Sequence, residues 1–79
     1  MTNNNYVSQI QSLLSEVLEI ALEEIPADMA FGDMPQWDSM GHMEVMLRLE
    51  EEYGVELSAD TIGELTSIAA ICAYLEQKK

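Results

Sequence analysis

Val7, Ile10, Leu14, Val17 and Ala21 follow one another at intervals of three, four, three and four residues. No other feature constrains the chain as much. A helix turns about 100° per residue, so these side chains share one face, with Leu13, Leu18 and Ile20 flanking it. Ser8, Ser12, Ser15, Glu16, Glu19 and Glu23 lie mostly opposite. The spacing predicts an amphipathic helix over about residues 4–23, with Asn3 to Asn5 available as N-caps and Pro26 as the latest stop.

The helical period returns twice. A second helix is expected over about 39–53, with Gly54 as a left-handed stop. A last helix is expected over about 66–77, with Ile68, Ile71, Cys72 and Leu75 in one stripe and Thr66 or Ser67 as cap. Between them Ser58 can cap a short turn over about 58–62. No stretch shows the β-branched alternation of a strand. The expected fold is all-α, a small four-helix bundle of three longer helices and one short one, in a single domain over 1–79. From Pro26 to Asp38 the turn formers Pro, Gly and Asp recur and no period survives. A loop over 26–38 is long for so small a chain and needs anchors. Phe31, Met34 and Trp37 are read as plugging the core.

Charge narrows the function classes. Fifteen acids against three bases leave a formal charge of −12. A nucleic-acid site needs a basic patch, so that class is excluded, and docking on an anionic membrane is disfavoured. A hydrophobic content of 48% is too high for a disordered acidic tail. The lone Cys72 leaves no internal disulfide framework or cysteine-rich zinc site and fits a reducing, cytoplasmic setting. No apolar run reaches the length of about 18 residues that membrane insertion requires. The opening MTNNNYVSQI lacks the basic-then-apolar order of a secretory signal. Residues 1–38 carry a net −7 and residues 39–79 a net −5, so self-repulsion relieved by salt is expected.

The second helix is the informative one. With Met40 at 0°, Met40, Met43 and Leu47 fall between about −60° and 0°, with Glu44 and Glu51 at about 40° and 20°. Val45, Leu49 and Tyr53 fall at about 140° to 220°, with Met46 just beyond. The helix therefore has two apolar stripes on nearly opposite sides. One packs on the core. The other, rimmed by Glu44, Glu50 and Glu51, reads as a docking face, because methionine adapts to several partners. The alternative, that the loop or the short third helix covers it, stays open from sequence.

Asp38-Ser39-Met40 stands at the head of this helix. Ser39 would by default be an N-cap. A triad of Asp38, Ser39 and His42 is rejected: nucleophilic serine chemistry needs a concave site and an oxyanion hole, and no glycine-flanked elbow precedes Ser39. His42 falls on the core-leaning side and reads as a packing residue. Asp28, Asp33 and Asp38 near Gly32 lack the spacing of a calcium loop. No catalytic residue and no metal ligand is expected.

The stretch from Phe31 through Asp38-Ser39-Met40 to Glu50-Glu51-Glu52-Tyr53-Gly54-Val55-Glu56-Leu57 resembles the loop and second helix of acyl carrier proteins. Leu65-Thr66-Ser67-Ile68 fits the start of their last helix, and the likeness covers about residues 5–76. The resemblance implies a carrier, not an enzyme, with 4′-phosphopantetheine attached to Ser39 by a separate phosphopantetheinyl transferase. Asp38 and Met40 would flank the arm. Met40, Met43, Glu44, Leu47 and Glu51 would form the face read by acyl-loading and acyl-processing enzymes with basic docking patches. The carrier would act as a monomer in fatty-acid, polyketide or other specialised biosynthesis. Fatty-acid carriers usually have Leu where Met40 stands and a small residue where Trp37 stands. Met40-Gly41 is similar to D-alanyl carriers, so an aminoacyl (D-alanyl or peptidyl) carrier is the alternative. A degenerate, unmodified adaptor is a third reading, against which the intact Asp38-Ser39 argues.

Overall fold

In the computed structural model, which describes residues 4–78, the apolar faces of four helices meet around one core. They are α1 (Asn4–Leu18), α2 (Ser39–Tyr53), α3 (Ala59–Glu64) and α4 (Ile68–Lys78). The described residues hold no strand, only a lone bridge between Ala30 and Ser67. α1 packs on both α2 and α4. Ile10 and Leu14 of α1, Val45, Met46 and Leu49 of α2, and Ile68 and Ile71 of α4 are all fully buried. Each such side chain contributes roughly 1.5–3 kcal/mol by leaving water. Of the expected caps for α1, Asn3 lies outside the described residues, as do the side chains of Asn4 and Asn5.

The first helix is shorter than its apolar spacing predicts, ending at Leu18 and not near residue 23. Glu19 takes a left-handed conformation, φ 58°. The Ile20 N–H donates back to the Ser15 carbonyl at 3.2 Å, and the Ser15 hydroxyl donates to the Ile20 carbonyl at 2.6 Å. This is a Schellman stop built on a glutamate instead of a glycine. Ile20 still reaches the core, from the turn, whereas Ala21 is exposed. A 3₁₀ turn follows over Leu22–Glu24.

The loop is anchored differently from expectation. Trp37 is fully buried and Met34 packs against the core, but Phe31 is 42% exposed. Two further buried anchors are Met29 in the loop and Ile25 just before it, which carry no periodic signal. Backbone bonds complete the attachment: Ile68 N–H donates to the Met29 carbonyl at 3.0 Å and Phe31 N–H to the Thr66 carbonyl at 2.8 Å. With its backbone amide so engaged, Phe31 is held at the rim.

Gly54 stops α2 at φ 71°, as its position after Tyr53 predicts. α3 runs two residues beyond the expected 58–62 turn, from a capping box in which Ser58 and Thr61 satisfy each other's backbone amides. α4 starts at Ile68 and not at 66, because Ser67 is the residue that caps it, accepting from the Ala70 N–H at 3.0 Å. The neighbouring Thr66 instead gives its carbonyl to the loop.

Candidate functional site

Asp38, not Ser39, caps α2: its Oδ1 accepts the Gly41 N–H at 2.9 Å. Ser39 becomes the first residue of the helix and is exposed, its hydroxyl free of the capping duty the sequence assigned to it. The close fit of the loop over this first turn depends on Gly41. A Cβ there would collide with the Gln36 carbonyl oxygen and press on Leu18 Cδ2 at 3.0 Å.

Beside Ser39 lies an open groove of about 320 Å³, lined by Phe31, Ser39, His42, Met43, Ile62 and Thr66. Its walls come from the loop, α2, α3 and the segment before α4. Phe31, Ile62 and Thr66 were not singled out as site residues by sequence, and no local pattern marks them, because only the tertiary fold brings them together. His42 forms the floor, 5% exposed. Its Nδ1 accepts the Trp37 indole N–H at 3.0 Å and its Nε2 lies 2.9 Å from the Ile62 carbonyl. Both ring nitrogens are thus engaged away from Ser39, so His42 is not placed as a base for it.

The two stripes of α2 separate cleanly. Val45, Met46 and Leu49 are fully buried. Met40 is 76%, Met43 42% and Leu47 47% exposed, and Glu44, Glu50 and Glu51 are exposed around them. Neither the loop nor α3 covers this outer stripe. Farther along, Arg48 joins α2 to α1 through Glu16 at 3.0 Å and holds Glu52 at 3.1 Å. Hydrogen bonds to these two carboxylates raise the Arg48 pKa above its ordinary value. That neutralises acids behind the stripe and leaves those on its rim unpaired by Arg48. Among the described residues no cluster of three or more His, Cys, Asp or Glu is arranged to hold a metal ion, and no helix is long and apolar enough to cross a membrane.

Comparison with known proteins bears on the same region. The family described as "Phosphopantetheine attachment site" matches residues 8–75. An acyl carrier protein of Buchnera aphidicola subsp. Schizaphis graminum is 28% identical over 75 residues, covering 95% of either chain. The polyketide-8 synthase acyl carrier protein 2 of Streptomyces avermitilis is 31% identical over 70 residues, covering 89% of this chain and 80% of its own. The meromycolate extension acyl carrier protein of Mycobacterium bovis is 25% identical over 77 residues, covering 98% of this chain and 67% of its own.

Proposed function

Since the chain belongs to the phosphopantetheine-attachment family of acyl carrier proteins, we propose that it is a discrete carrier of acyl intermediates that takes its arm on Ser39. Proteins of this family carry and do not catalyse, and their prosthetic group is a covalent 4′-phosphopantetheine. One observation carries the assignment to Ser39. It is an exposed hydroxyl at the first position of α2, relieved of capping by Asp38 and set between an apolar groove and an exposed Met/Leu/Glu stripe.

The residues fit such a group. The N-terminal end of α2 carries the positive end of the helix dipole and favours a phosphodiester anion. The groove offers Phe31, Met43 and Ile62 to a flexible alkyl-amide chain. In the loading reaction the Ser39 Oγ–phosphorus bond forms and the phosphorus–oxygen bond to the nucleotide half of coenzyme A breaks. The hydroxyl proton passes to the transferase, so the carrier needs no base of its own. When bound, the arm supplies a terminal thiol that holds an acyl group as a thioester.

Met40, Met43 and Leu47 then serve as the docking stripe, with Glu44 and Glu51 steering basic patches on the transferase and on acyl-loading and acyl-processing enzymes. The protein acts as a cytoplasmic monomer. A specialised pathway is favoured over primary fatty-acid synthesis by Trp37 and Met40 and by the 31% identity to a polyketide synthase carrier. An aminoacyl (D-alanyl or peptidyl) carrier, suggested by Met40-Gly41, is the alternative reading. Incubation with a phosphopantetheinyl transferase, coenzyme A and magnesium should add one arm by intact mass. Ser39→Ala should abolish the gain with helical circular dichroism unchanged. A gain persisting in Ser39→Ala would overturn the assignment.

A further inference from the structure

The indole N–H of Trp37 can only donate, so the His42 Nδ1 that it meets at 3.0 Å must be the unprotonated nitrogen. The proton of the neutral ring is then on Nε2, which donates to the Ile62 carbonyl at 2.9 Å. One imidazole in one tautomer ties the loop, α2 and α3 together. The tie is buried: Trp37 is fully enclosed and His42 nearly so. The ring is also flanked edge-on by Phe31, at 5.5 Å between centroids, and tilted against Trp37 at 6.0 Å. Phe31, His42 and Ile62 are three of the six walls of the groove beside Ser39.

From this we infer that His42 is a positioning residue for the reaction at Ser39. Through Trp37 and the Ile62 carbonyl it fixes the loop and α3 around the first turn of α2, and it does so only as the neutral ring. A proton on Nδ1 would set two donors against each other, N–H facing N–H. Of the carboxylates on the surrounding elements, Asp33 accepts from Ala30 N–H and Asp38 from Gly41 N–H, each at 2.9 Å. Glu44 on α2 and Asp60 and Glu64 on α3 are exposed, and among the described residues none of the five hydrogen-bonds the ring. The segment before α4 contributes Thr66, which carries no charge. Protonation therefore releases Trp37 and loosens the groove, and loading of Ser39 falls with it. This rests on Ser39 being the attachment residue, but the bond itself does not.

The chain holds one histidine and one tryptophan, so both partners give single, assignable signals. The test follows the His42 ring nitrogens and the Trp37 indole N–H by NMR in the unmodified chain as pH falls from about 8 to about 5. The expected result is a bare Nδ1 and a protonated Nε2 at high pH, with the indole signal shifting at the same midpoint as the ring. In parallel, the rate of arm transfer is measured for wild type, Trp37→Phe and His42→Asn. The asparagine keeps an acceptor oxygen near Nδ1 but cannot titrate. Trp37→Phe should lower kcat/KM about three- to tenfold at high pH, the scale of one lost buried hydrogen bond. The wild-type to His42→Asn rate ratio, which cancels the transferase's own pH response, should drop as the ring protonates. An indole signal indifferent to ring titration, a proton on Nδ1 at high pH, or a rate ratio that stays flat while the ring signals titrate would each overturn the inference. Failure of wild type to take an arm at any pH would instead overturn the reading of Ser39, while the NMR signals would still decide the bond.

Discussion

Met43 and Met46 stand three residues apart on α2, yet one is 42% exposed and the other is fully buried. Leu47 and Leu49 repeat the contrast at 47% and 0%. The two sides of this helix are built from the same residue types, so hydrophobicity alone does not say which stripe is core. What separates them is what lies opposite. The inner side meets α1 and the buried Trp37, while the outer side, bordered by the groove at Met43, is rimmed by exposed glutamates. A contiguous exposed apolar stripe with an acidic rim is what the proposed docking role requires.

The sharpest way to break this contrast is to truncate one leucine on each side. Leu49→Ala should cost about 2–5 kcal/mol in urea unfolding, the range for a buried leucine. Leu47→Ala should change stability by no more than about 0.5 kcal/mol and weaken acyl transfer to partners instead. Glu44→Lys should behave like Leu47→Ala. A stable Leu49→Ala protein beside an unfolded Leu47→Ala protein would mean the stripes are reversed.

A smaller effect is expected where the inner side begins. Gly41→Ala should destabilise by about 1–3 kcal/mol, because the new methyl meets a backbone carbonyl of the loop that cannot swing aside as a side chain would. Circular dichroism melting would detect it, and an unchanged melting temperature would show that the loop yields freely at Gln36.

The smallest effect belongs to the boundary between the stripes. Tyr53, half-buried at the end of α2, has its phenol pushed above the ordinary range chiefly by burial, then by the charge of Glu52. The thiol of Cys72 is pushed up by burial and then by Glu76. Both groups are favoured neutral in the folded chain. Their contribution is therefore complete below the ordinary values, about 9 for the thiol and about 10 for the phenol, and is lost as pH rises through the raised ones. Urea midpoints should hold up to about pH 8 and decline above about pH 9, and Cys72→Ala should remove the earlier part of the decline.

Sequence revealed what period and caps can encode. The two stripes of α2, the Gly54 stop and the core-facing side of His42 all follow from turning about 100° per residue. What it hid has physical causes. α1 stops on a left-handed glutamate, a conformation that costs roughly 1–2 kcal/mol and that no breaker residue announces. Ile20 continues the apolar spacing while leaving the helix, so the period overran the end. In the loop, Phe31 and Met29 look equally able to plug a core. Which one does was settled by backbone bonds to Thr66 and Ile68, some 35–40 residues away along the chain. The cap passed from Ser39 to Asp38 because the carboxylate reaches the Gly41 amide from one position earlier. The bond from Trp37 to His42 spans only five residues, yet its third member, the Ile62 carbonyl, carries no side-chain signature.

Cys72 is the chain's one sulfhydryl, and α4 turns it inward, 5% exposed with its thiol held in the unreactive form. A thioester is an energised bond that any accessible thiolate can steal by exchange. Once an arm is attached, its own terminal sulfur would be the sole thiol open to solvent. A loaded acyl group would then have no resting place on the carrier's own polypeptide, and its departure would be left to whichever enzyme docks next.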